Sequence, residues 1–127
     1  MNKYTEFKNL NLDPRDPLTI IYREELGNLK MFQCTIRSFA PLDPNGVILE
    51  MWPRRRGTAK RNIPVPYYQE LLIYNGHVEI DLDSIMYEVI EKPNGTYRTP
   101  KYDNYTSHVF NDIIKAYPNP LIFMPKE

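Results

Sequence analysis

Five cations fall between Pro53 and Asn62: Arg54, Arg55, Arg56, Lys60 and Arg61. Guanidinium and ammonium groups set this close can hold phosphates, and the arginine fork also matches a carboxylate. Trp52 precedes the cluster and Tyr67 and Tyr68 follow it, so rings able to stack on bases flank groups able to neutralise phosphates. Residues 62–91 contain no Lys or Arg and carry Glu70, Glu79, Asp81, Asp83, Glu88 and Glu91 instead. A chain of zero formal net charge has therefore sorted its charges by position, and a local cluster can aim a field at one partner where a net charge cannot.

The acidic window contains an alternation, Glu79-Ile80-Asp81-Leu82-Asp83, which as a strand would place three carboxylates on one face about 7 Å apart. An extended row does not fold back around a cation as a Ca²⁺ loop does, so no metal is expected. The wet face of a strand, with like charges discouraging edge pairing, accounts for the pattern, as does docking onto the chain's own basic loop.

Catalytic chemistry has little to draw on. His77 and His108 are the only histidines, Cys34 is the only thiol, and no G-x-S-x-G, P-loop or H-E-x-x-H is present. A metal-independent nuclease needs an acid, a base and a cation for the developing charge, which a histidine, a tyrosine and the arginines could supply. Nothing in the linear order joins them, so no catalytic residue and no cofactor is assigned. Cys34 sits in an apolar alternation with Phe32 and Ile36 and reads as a small buried hydrophobe.

The elements that must carry these residues follow from composition and turns. A length of 127 residues predicts one domain over 1–127 that buries roughly two thirds of its unfolded surface. Ten tyrosines and twelve prolines favour short strands joined by defined turns. Residues 18–24 and 28–39 form a predicted hairpin, and Gln33, Thr35 and Arg37 are the polar positions of its second strand. Asp43-Pro44-Asn45-Gly46 predicts a reversal with positive φ at Asn45 and Gly46, followed by a strand over 47–52. Pro93-Asn94-Gly95 predicts another hairpin between 85–91 and 96–99. Asn75-Gly76 favours a hairpin joining 67–74 to 77–82 over a short helix beginning at Pro66. A helix over 106–117, capped by Thr106 or Ser107, aligns Val109, Phe110, Ile113, Ile114 and Tyr117. Residues 1–16 and 100–105 read as irregular arms, and 53–62 as a protruding basic loop.

The expected fold is mainly β within the α+β class. It is an antiparallel meander, small barrel or two-layer sheet of about six or seven short strands, with one C-terminal helix. No stretch has the length and apolarity to span a bilayer, and the first ten residues lack the apolar core of a secretory signal, so a cytoplasmic setting is expected. The expected function is non-enzymatic binding of an anionic partner by Arg54, Arg55, Arg56, Lys60, Arg61, Trp52, Tyr67 and Tyr68, with single-stranded nucleic acid first. An acidic protein surface comes second, in an assembly or inhibitor component compatible with viral or mobile-element origin. A metal-independent nuclease is third.

Overall fold

A computed structural model describes residues 2–24, 28–54, 57, 59–102 and 108–126. It divides into two compact units, Met1–Val78 with Pro120–Glu127, and Glu79–Asn119.

The larger unit is built on a six-stranded antiparallel sheet. Its strands are β1 (Leu18–Arg23), β2 (Leu29–Leu42), β3 (Gly46–Pro53), β4 (Arg61–Val65), β5 (Leu71–Asn75) and β8 (Ile122–Met124), in the order β4-β3-β2-β1-β5-β8. The sheet is open, so the barrel alternative is not realised: β4 and β8 end the order without pairing to each other. The second unit lies in sequence between β5 and β8, although those strands are neighbours with Ile73 opposite Ile122. Chain length alone carries no sign of that excursion.

The meander follows from the alternation of apolar residues. Leu18 and Ile20 of β1 share a face with Cys34 of β2, Leu49 and Met51 of β3, Ile63 of β4 and Leu71 and Ile73 of β5, all buried in one cluster. On β2 the apolar positions change phase, from Cys34 and Ile36 to Phe39. A bulge absorbs the change, because Ile36 pairs with Met51 but Ser38 with Glu50, leaving Arg37 as the extra residue. Phe39 is thereby returned to the core face, where its ring lies 5.4 Å from that of Phe7.

Phe7 belongs to a helix where an irregular arm was expected. Helix α1 (Lys3–Leu10) starts at Asn2, whose side-chain oxygen accepts from the Thr5 N–H at 2.8 Å, and ends at Asn11 in the left-handed region with φ of 52°. Only Phe7, Leu10 and Tyr4 stand out as apolar in eight residues, too weak a period to announce a helix. Packing of Phe7 and Leu10 on the sheet supplies what the local pattern lacks.

The reversal at 43–46 is present, with a cis Asp43-Pro44 bond, yet neither Asn45 nor Gly46 adopts positive φ. Gly46 is required for a different reason: a Cβ there would meet the Val65 carbonyl oxygen at 2.6 Å and the Pro66 Cα at 2.8 Å.

In the smaller unit, helix α2 (Leu82–Met86) leads into a two-stranded ribbon of β6 (Tyr87–Lys92) and β7 (Gly95–Pro100), as the Pro-Asn-Gly signal predicts. Helix α3 (His108–Ala116) buries Val109, Phe110 and Ile113, and its expected caps Thr106 and Ser107 lie outside the described residues. The predicted pairing of 67–74 with 77–82 does not form. Gly76 turns with φ of +83°, and the Thr19 hydroxyl of β1 takes over the local hydrogen bonds, donating to the Gly76 carbonyl at 2.9 Å and accepting from the Val78 N–H at 2.8 Å. Strand β5 then finds its partners in β1 and β8.

Candidate functional site

Residue parity decides which cations can act together. On β3, Trp52 stands opposite Thr35 of β2, on the face away from Met51 and Leu49. Trp52 remains 41% exposed, large for a strand residue, because the pairing of β3 with β4 ends one residue earlier, at Met51 and Arg61. The bulge at Arg37 aims its guanidinium over the Trp52 ring at 5.9 Å and toward Glu50 Oε1 at 3.9 Å. Lys60, just before β4, approaches the other Glu50 oxygen at 3.6 Å. Both cations are more than half exposed, so Glu50 partly offsets them and leaves their outer sides to solvent.

Arg54 is positioned from β2. Its backbone N–H donates to the Gln33 carbonyl at 2.8 Å and its Nη1 to Gln33 Oε1 at 2.9 Å, while Gln33 Nε2 donates to the Val78 carbonyl at 3.2 Å. A neutral amide therefore holds Arg54 without cancelling its charge. Arg55 and Arg56 lie outside the described residues.

The remaining predicted residues are placed elsewhere. Arg61 pairs with Met51 and so begins β4 on the other face, where its guanidinium lies over Phe32 at 5.7 Å and Phe32 stacks on Tyr22 at 6.1 Å. Tyr67 and Tyr68 follow the far end of β4, because Val65 pairs with Val47 while Arg61 pairs with Met51. A five-residue strand, roughly 15 Å, thus separates the tyrosines from Trp52. Their rings meet edge to face at 5.6 Å, and Tyr67 lines a cavity of about 160 Å³ with Lys3, Glu6, Asn45, Phe123 and Met124. In sequence the tyrosines follow the basic run closely; an intervening antiparallel strand carries them away.

Arg37 joins Trp52 on this candidate face, which the linear reading did not assign to it. Its signal was the polar parity of Gln33, Thr35 and Arg37, but its approach to Trp52 depends on a bulge that shows only once Phe39 is seen in the core.

The acidic alternation is not a strand. Asp81 caps α2, accepting from the Ser84 N–H at 3.2 Å and hydroxyl at 2.6 Å, and those bonds hold its carboxyl below the usual range. Asp83 lies in the first turn and accepts from Arg98 Nη2 at 3.0 Å. Among the described residues no group of three or more His, Cys, Asp or Glu gathers as metal ligands do. His77 follows the Gly76 turn, with Nε2 buried and unpartnered among the described residues, and His108 opens α3. Cys34 is buried, and burial pushes its thiol up to about 12. No helix among the described residues is long and apolar enough to cross a membrane.

Comparison with protein-family models, curated proteins and solved structures finds no match. The site has to be read from its own chemistry.

Proposed function

We propose that the protein binds single-stranded nucleic acid on the Trp52 face of β2 and β3, with the indole stacking on a base and Arg37, Arg54 and Lys60 meeting the flanking phosphates. The observation that carries this reading is the exposed indole with Arg37 over its ring at 5.9 Å, on an open sheet face rimmed by cations. Stacking suits any base, so the binding is sequence-tolerant. Zero net charge keeps the electrostatic footprint local.

Trp52 is the only tryptophan, so its emission reports on this face alone. Titration with a short oligothymidylate is expected to quench it saturably, with a salt slope of roughly −2 for three phosphate contacts to a single strand. A base-free polyanion of matched charge should compete but quench weakly. A flat titration, or equal quenching by both polymers, would overturn base stacking.

A second reading rests on Glu50. Arg37 and Lys60 already approach its carboxylate, so the same cations suit an acidic protein surface. Quenching by polyglutamate equal to that by the oligonucleotide would favour it.

A further inference from the structure

The β6-β7 ribbon has an unusual exposure. Its residues from Glu88 to Pro100 are all exposed, including Val89 at 61%, Tyr97 at 43% and Ile90 at 38%. An isolated two-stranded ribbon is marginal in water, and among the described residues no third strand pairs with either of its edges.

The register shows which groups those are. Lys92 pairs with Gly95 across the Pro93-Asn94 turn, and past the other end the Lys101 N–H donates to the Met86 carbonyl at 2.9 Å. Even-numbered residues of β6 therefore point their backbone groups at β7, and Tyr87, Val89 and Glu91 point theirs outward. Side chains follow the same alternation, so Glu88, Ile90 and Lys92 share a face with Tyr97, which lies opposite Ile90.

We propose that the outer edge of β6 pairs antiparallel with the same edge of a second copy of this chain, about a two-fold axis at Ile90. The symmetric register sets Ile90 against Ile90 of the second copy, Glu88 against its Lys92 and Lys92 against its Glu88. Val89 and Glu91 of opposite copies exchange both backbone hydrogen bonds. The result is a four-stranded sheet with an apolar row of Tyr97, Ile90 and their two symmetry mates, bracketed by opposite charges. Because the facing even-numbered residues form non-hydrogen-bonded pairs, their side chains sit at the closer cross-strand spacing.

Other registers lose this complementarity. An axis at Val89 would set Glu88 against Ile90 and bring no opposite charges together. The edge of β7 is less suited, because Pro100 lacks an N–H and the Arg98 side chain is engaged by Asp83 at 3.0 Å and by the Tyr87 ring at 4.3 Å.

Sedimentation of the full chain without nucleic acid tests the interface independently of the Trp52 face. A concentration-dependent dimer is expected, and Glu88→Lys or Lys92→Glu alone should weaken it about tenfold by setting like charges opposite each other twice. Mixing the two single variants should restore association as a heterodimer, and the double variant E88K/K92E should restore the homodimer. Val89→Pro, which removes an outward N–H without touching the β6-β7 ladder, should abolish association while circular dichroism stays unchanged. A wild-type chain that stays monomeric at every concentration, or charge variants that fail to recover on mixing, would overturn the proposal.

Discussion

Arg23 and Glu70 form an ion pair inside the larger unit, with Nε and Nη2 of the arginine each 3.0 Å from Glu70 Oε1 and both side chains almost wholly buried. The Arg23 backbone N–H also donates to the Glu70 carbonyl at 3.0 Å, so the pair joins the end of β1 to the residue before β5. Glu70 Oε2 is buried without a hydrogen-bond partner among the described residues. Burial pushes this carboxyl above its ordinary value, against the opposing pull of Arg23. Since the folded protein binds that proton more tightly than the unfolded chain, the contribution to stability is complete below the ordinary glutamate pKa and is lost as pH rises through the folded one. Urea unfolding of wild type and Glu70→Gln as a function of pH should show wild type losing stability relative to the variant from about pH 4.3 upward. A relative gain over that window would mean that the arginine dominates. Arg23→Met, which strands the carboxylate, should cost about 3–5 kcal/mol at neutral pH.

Gly46→Ala should destabilise by about 1–3 kcal/mol, because the new methyl meets backbone atoms of Val65 and Pro66, which move only if β3 and β4 separate. Gly57→Ala has open space around it and meets only the strain of φ at +82°, about 1 kcal/mol. Equal denaturation midpoints for the two variants would contradict the close approach at Gly46.

Cys34 should resist thiol reagents at pH 8 in the folded protein and react at the rate of global unfolding, since the thiolate is both scarce and enclosed. Raising urea through the transition should release one thiol per chain, and rapid stoichiometric labelling without denaturant would be inconsistent with its place in the core.

The geometry of the proposed binding face separates residues that adjacency in sequence would group. Trp52→Ala should cost roughly 1–3 kcal/mol of oligonucleotide affinity, and Arg37→Ala should lower the salt slope by about 0.7. Tyr67→Ala and Tyr68→Ala, at the far end of β4, should leave affinity within about twofold. Fluorescence anisotropy of a labelled oligonucleotide reads all four variants, and a loss at the tyrosines equal to that at Trp52 would mean that the interface runs the length of the strand.

Local chemistry made parts of this protein legible in advance. The alternation of Phe32, Cys34 and Ile36 with Gln33 and Thr35 reflects the two-residue period of any strand, and the turn at Pro93-Asn94 fixes its hairpin within a few residues. The apolar spacing of Val109, Phe110 and Ile113 likewise specifies a helix wherever it packs. Partner choice could not be read in the same way, because it is settled by competition among distant groups. The Thr19 hydroxyl draws the chain out of the sheet after Gly76, Ser84 turns an acidic alternation into the start of α2, and Phe7 makes a helix of a weakly patterned segment by finding Phe39. The proposed binding face shows the same division: charge and aromatic types were present in sequence, while β-strand parity turned Arg61 away, β4 removed the tyrosines, and the Phe39-driven bulge brought Arg37 to Trp52. Local propensity acts over one or two turns of chain, whereas register and burial act between strands that meet only when the sheet is assembled.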